Sequence, residues 1–184
     1  DPPEGQLYWG SGWAECGRSD SEAGRVRISS CDVLDEVIAT IRVSFPNARE
    51  VVIAGFSAGG QLVTRYAATN DNPANIYVVG APSSYLYWND QRAGPRCAGD
   101  NDYKYGLEDL ASTSYVDQVG ARQLRANFGA AHVLTLVGAK DDDPESSSLD
   151  TRCEAEAQGA DRVERWNHYQ EHLEDVYGPS IFER

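Results

Sequence analysis

Apolar positions at Val33, Leu34, Val37, Ile38 and Ile41 recur at i, i+1, i+4, i+5 and i+8, which is one face of a helix. Ser29 stands three residues before Asp32, the spacing of a capping box with a shorter acid than usual. Pro46 ends the pattern. The run Val51-Val52-Ile53-Ala54-Gly55 is short and continuously apolar, and it predicts a strand buried on both faces, as in a parallel sheet. A second helix is expected from about Ala58, with Leu62, Val63, Tyr66 and Ala67 facing the core. Asn70 to Asn75, with Pro73, reads as a turn.

Ile76-Tyr77-Val78-Val79 and His132 to Gly138 repeat the buried-strand pattern. Between them lie a long irregular stretch, about residues 81–112, and a helix carrying Val116, Val119 and Leu124. A last helical region runs from about Glu154 to Tyr177, interrupted near Gly159. Residues 1–30 show no sustained period and read as a surface wrap. Strands alternating with helices predict an α/β fold with a parallel sheet flanked by helices. With no internal repeat, low-complexity tract or linker, residues 1–184 are expected to form one domain.

Composition supports a folded chain. At 184 residues, roughly 70% of the unfolded surface can be buried. Hydrophobic residues make up 41% and charged residues 24%, which is a globular balance. No apolar run approaches the roughly 20 residues of a membrane span. The formal charge is −13, a field that repels phosphate backbones, so no nucleic-acid partner is expected. The chain has no Met and opens Asp1-Pro2-Pro3, which suggests a processed product or a fragment.

Four cysteines, Cys16, Cys31, Cys97 and Cys153, include no CxxC pair. With only three histidines, no zinc site is expected. An even count points to two disulfides and an exported protein. Three connectivities are open. Cys16–Cys31, closing a short polar loop, with Cys97–Cys153, joining two long loops, is favoured over four free buried thiols.

The chemistry concentrates at Gly55-Phe56-Ser57-Ala58-Gly59, a G-x-S-x-G. It follows one expected strand directly and opens one expected helix directly, the setting of a nucleophile elbow. Ser57 would sit on a tight turn with its hydroxyl above the sheet. Gly55 and Gly59 are expected to avoid clashes with the neighbouring strand and helix, and Gly60 to allow close packing. The N–H groups opening the helix favour developing negative charge, and the Ala58 N–H is the expected oxyanion donor. A triad acid belongs after a later strand. Asp141, the first acid after Val133–Val137 and three past Gly138, has the best spacing, with Asp143 the fallback.

These residues resemble a bacterial and fungal group of α/β-hydrolase-fold proteins, serine esterase- or lipase-like hydrolases. Besides the elbow, the resemblance rests on Leu7-Tyr8-Trp9 and Gly12-Trp13, on Pro82-Ser83-Ser84-Tyr85-Leu86-Tyr87, and on Tyr103-Lys104-Tyr105-Gly106-Leu107. Leu149-Asp150-Thr151, Cys153-Glu154-Ala155 and Gln158-Gly159 extend it. It covers about residues 7–177. It implies Ser57 as nucleophile, Asp141 as acid and no cofactor or metal.

Two departures stand out. No buried strand precedes Val51, so the early strand that supplies a second oxyanion N–H in that fold is missing. The last strand and the histidine loop that follows it have no counterpart either, since Pro179 to Glu183 only approaches such a strand. His132 starts a strand, on the wrong edge, while His168 and His172 look like surface residues of a helix. Two readings follow. One is a serine hydrolase of carboxylic esters, secreted, acting on a small-molecule, lipid or aryl ester, with a further chain segment completing the site. Tyr85, Tyr87 and Trp88 could then line an acyl or aryl pocket, or else pack beneath a long loop. The other is a non-catalytic binding module on a hydrolase scaffold.

Overall fold

The structure is a computed structural model that describes residues 6–20, 25–72 and 74–183. The opening Asp1-Pro2-Pro3 and the turn residue Pro73 lie outside the described residues. Three parallel strands, β1 (Val51–Phe56), β2 (Asn75–Gly80) and β3 (His132–Leu136), form one sheet in the order β1-β2-β3. Val52 pairs with Ile76 and Phe56 with Gly80, while Ile76 pairs with His132 and Gly80 with Leu136. The expected α/β class with a parallel sheet is therefore what forms, and β1 is the first strand among the described residues.

Helix α1 (Ser30–Ser44) begins on a complete capping box: the Ser29 hydroxyl accepts from the first turn, and Asp32 accepts from the Ser29 N–H at 2.7 Å. Asp32 is long enough for this task. Its apolar face is narrower than the sequence suggests. Cys31 and Ile38 are buried and Leu34 and Ile41 partly so, whereas Val33 and Val37 stay exposed. Helix α2 (Ala58–Thr69) follows β1 after one residue and packs on β1 and β2. The helix expected around Val116 to Leu124 breaks into α3 (Ser114–Val119) and α4 (Ala121–Ala130). Gly120, at φ 77° and ψ 150°, makes the break, a conformation that suits a residue without Cβ. The last helical region likewise divides into α5 (Cys153–Glu156) and α6 (Arg162–Tyr177), with Gly159 at φ 146° between them. Pro179–Glu183 forms a 3-10 helix.

Both favoured disulfides are present. Cys16–Cys31 ties the N-terminal wrap to the start of α1, and Cys97–Cys153 ties the long loop to α5, with Cα separations of 5.0 and 6.3 Å. Among the described residues no cysteine is free, no cluster of ligands suits a metal ion, and no helix is long and apolar enough to cross a membrane.

The expectation of strands buried on both faces is corrected. Alternate residues of a strand face opposite sides. The side of Val51, Tyr77 and Val79 lies in the core. On the other side Val52 is 60% exposed, Phe56 73%, Leu134 54% and Leu136 47%. Ile76 and Val78, on the same side, are half-buried, so among the described residues this apolar face is largely but not wholly open. Apolar runs are thus present for a two-sided sheet, but packing is one-sided. A groove of about 270 Å³ also runs along the outer edge of β3, lined by His132–Thr135, Trp166, Gln170 and the 3-10 residues Ile181 and Phe182.

Candidate active site

Ser57 occupies the single residue between β1 and α2, with φ 54° and ψ −117°. This is a conformation that non-glycine residues adopt at a cost of roughly 1–3 kcal/mol. It is held by backbone bonds on both sides. The Ser57 N–H donates to the Gly80 carbonyl at 2.8 Å, and the Ser57 carbonyl accepts from the Gln61 N–H at 3.0 Å. Two serines at helix starts behave differently for this reason. Ser29, in extended backbone, turns its hydroxyl onto the helix end. Ser57 makes no capping bond, so its hydroxyl is left for other partners. Ala58 opens α2, where the first N–H groups have no acceptor within the helix.

The glycines around Ser57 divide in a way the motif did not show. A Cβ on Gly55 would lie 2.2 Å from the Gly59 carbonyl oxygen, and one on Gly60 would lie 2.6 Å from the Gly80 carbonyl oxygen. The turn therefore needs bare backbone at both places. A Cβ on Gly59 meets nothing within 4 Å, so the expected steric need at Gly59 is corrected: the space beside it is open.

The ends of the three strands are joined at the carboxyl edge. Beyond the Ser57 bond to Gly80, the Ala81 N–H donates to the Leu136 carbonyl at 2.8 Å. The segment after β3 turns back at Gly138, whose carbonyl accepts from the Asp141 N–H at 2.9 Å. Ser57 and Asp141 thus leave the sheet at the same edge, from β1 and β3, with only β2 between. Adjacent strands lie about 4.8 Å apart, so the two strand ends are roughly 10 Å apart. The Asp141 carboxylate accepts from Arg162 Nη1 at 3.2 Å. Arg162, only 5% exposed, also donates to the Ser148 carbonyl and hydroxyl. Asp143, the fallback acid, accepts from the Glu145 N–H in an exposed turn.

None of the three histidines is bonded to Ser57 or Asp141. His132 begins β3 at the opposite edge, as its position in the sequence suggests. His168 bonds the Gln158 carbonyl through Nδ1 at 2.9 Å. The surface reading of His172 is corrected. It is 6% exposed, accepts from the Trp88 N–H through Nε2 at 2.9 Å, and lies against the Tyr87 ring. Burial, helped by the positive charge of Arg92 and Arg125, pushes its imidazole down to about 3, so it is neutral.

The aromatic residues after β2 do not line an open pocket. Tyr85, Tyr87 and Trp88 are at most 2% exposed. Tyr85 stacks on Tyr169 at 4.2 Å, and Trp88 packs on Phe128. They are core beneath the long loop. No site role for Gln61, Arg65, Arg162 or Arg165 is legible in the sequence, although Gln61 closes the segment that resembles the elbow. Their signal is polar residues repeated at i, i+4 and i, i+3 on otherwise buried helix faces.

No protein-family model and no curated protein sequence matches the chain. Solved structures similar in fold include the following two. One is poly(aspartic acid) hydrolase-1 from Sphingomonas sp. KT-1, at TM-score 0.61 and 22% identity, over 86% of this chain and 57% of the other. The second is the poly(3-hydroxybutyrate) depolymerase LpqC from Bordetella parapertussis, at TM-score 0.61 and 22% identity, over 80% of this chain and 45% of the other. The chain spans about half the length of these structures. Their likeness, with the parallel sheet and its helices, identifies the architecture as part of an α/β-hydrolase fold.

Proposed function

We propose that the chain carries the nucleophile and acid of a secreted serine hydrolase acting on carboxylic esters. The observation that carries this reading is Ser57: a non-glycine residue held at φ 54°, ψ −117° between a parallel strand and a helix, its hydroxyl diverted from capping. That is the geometry a nucleophile elbow needs. In this reading Ser57 attacks an acyl carbonyl, and the Ala58 N–H stabilises the oxyanion. Asp141, at the same sheet edge, would orient a histidine and stabilise its cation. The similar structures are named for hydrolysing poly(aspartic acid) and depolymerising poly(3-hydroxybutyrate), which supports acyl-bond hydrolysis and admits a polymeric ester as substrate. The two disulfides support secretion.

The base is the missing part. His132, His168 and His172 are committed elsewhere or lie at the wrong edge. A further chain segment would supply it, together with the second oxyanion donor. The outer edge of β3, unpaired among the described residues, its groove and the largely open sheet face support this, because parallel sheets are normally covered on both faces. The Arg162–Asp141 ion pair favours a second reading, a binding module on a hydrolase scaffold, since it already occupies the acid. An organophosphonate separates the two. Stoichiometric labelling of Ser57 in the natural protein, absent in Ser57→Ala, is expected. An unlabelled Ser57 there would decide for the binding module.

A further inference from the structure

The segment 81–88, which leaves β2 between the Ser57 turn and the Asp141 loop, is buried at every residue. Its polar groups are held from two sides. From α2, Gln61 Nε2 donates to the Ser83 hydroxyl at 2.9 Å, and Gln61 Oε1 accepts from the Ser84 hydroxyl at 3.0 Å. Gln61 is also the residue whose N–H closes the turn on the Ser57 carbonyl. Arg65, one turn on, donates to the Gln61 carbonyl, the Ser84 hydroxyl and the Lys104 carbonyl. From the other side, Arg165 Nη1 donates to the Ser83 carbonyl and Nε to the Gly159 carbonyl. The Gln158 side chain bonds both the N–H and the carbonyl of Tyr85. Arg165 is three residues from Arg162, the partner of Asp141, on the same helix.

Arg65 and Arg165 are fully buried, yet among the described residues neither has a carboxylate within ion-pair distance. Burial lowers the Arg165 guanidinium below its ordinary range. Burying a cation against neutral oxygens alone is unfavourable. What these forks provide is geometry, since one rigid guanidinium bonds carbonyls from two separate segments.

We infer that Gln61 is a positioning residue. Through Ser83 and Arg165 it holds the Ser57 turn and the Asp141 loop at one spacing. The hydrogen-bonded path runs Ser57, Gln61, Ser83, Arg165, then along one helical turn to Arg162 and Asp141. Gln61 touches no reacting atom. Its task is to keep α2 and α6 in register across the buried segment. The inference rests on the roles proposed for Ser57 and Asp141.

The test is a spin-label distance between Phe56→Cys and Lys140→Cys, both exposed and each beside a site residue. All four native cysteines are in disulfides, so labels go to the new thiols alone. Gln61→Ala is expected to broaden and shift the distance distribution. Gln61→Glu is expected to restore it, because Glu keeps the acceptor for Ser84, Ser83 can turn its hydroxyl to donate, and the carboxylate gains Arg65. Ile38→Ala, a core truncation in α1, controls for simple destabilisation and should leave the distribution narrow. An unchanged distribution in Gln61→Ala, or equal broadening in Ile38→Ala, overturns the inference. In the natural protein Gln61→Ala should lower kcat roughly 100-fold at near-constant KM, the loss expected for a misplacement of about 1 Å. If no variant or wild-type protein shows Ser57-dependent hydrolysis, the catalytic reading fails, and the distance result still decides the positioning role.

Discussion

Acidification should unfold this protein in part through one buried imidazole. His172 Nε2 is the acceptor of the Trp88 N–H. Protonation would set a donor against that donor, inside an aromatic cluster and near two arginines. The folded-state value of about 3 lies below the unfolded value near 6.5. The folded state therefore binds fewer protons, and the stabilisation is complete above pH 6.5 and lost as pH falls toward 3. Each pH unit in that window removes about 1.4 kcal/mol, so roughly 3 kcal/mol is gone by pH 4. Carboxylates titrate over the same range, and a difference measurement removes them. Urea unfolding of wild type and His172→Gln is compared from pH 7 to pH 4, with disulfides intact. Glutamine can still accept from Trp88 and does not titrate. Gln at 172 is expected to be less stable at pH 7, and the gap should shrink or reverse by about 3 kcal/mol at pH 4. Parallel curves would refute the argument, because they would mean that His172 takes up its proton equally in both states.

Ser57→Ala should lower any esterase activity of the natural protein by on the order of 10⁴ or more. Circular dichroism should show the fold retained; activity within a few-fold of wild type removes Ser57 from the reaction. Gly55→Ala should destabilise the protein strongly, by several kcal/mol, because its Cβ meets backbone at 2.2 Å. Gly59→Ala, into open space, should leave the midpoint of chemical denaturation nearly unchanged. Replacing the Cys16–Cys31 pair by serines should cost about 3 kcal/mol for its 15-residue separation, and the Cys97–Cys153 pair about 4 kcal/mol for its separation of 56. Denaturation of each double variant checks these values, and no loss in either would contradict the stabilising role.

The elements nearest Ser57 were readable because their causes are local. A β-branched run, a glycine on each side of a serine, and a helix-forming stretch lie within about twenty residues, so strand, turn and helix follow from neighbours in the chain. The cap on α1 is equally local, since Ser29 and Asp32 meet across three residues. The breaks at Gly120 and Gly159 differ in legibility. The second interrupts a long helical pattern, while the first lies between two short helices whose apolar residues Val116, Val119 and Leu124 keep a helical spacing across it.

Which apolar residues reach the core is not a local matter. Val52 and Tyr77 both belong to apolar runs, but one faces solvent and the other α2, and only the packing of the helices on one side of the sheet separates them. His172 reads as a polar helix residue until Trp88, 84 residues earlier, presents its N–H. Gln158 meets Tyr85 across 73 residues. Asp141 can be singled out by its distance from Gly138, yet Arg162 as its partner is set by how α6 docks on β3, where Trp166 and Gln170 bond Thr135. Local pattern specifies a backbone with a preferred direction and period. Burial, charge pairing and the fate of each polar group depend on chain closure between distant segments, and those free energies exist only once the helices are seated on the sheet.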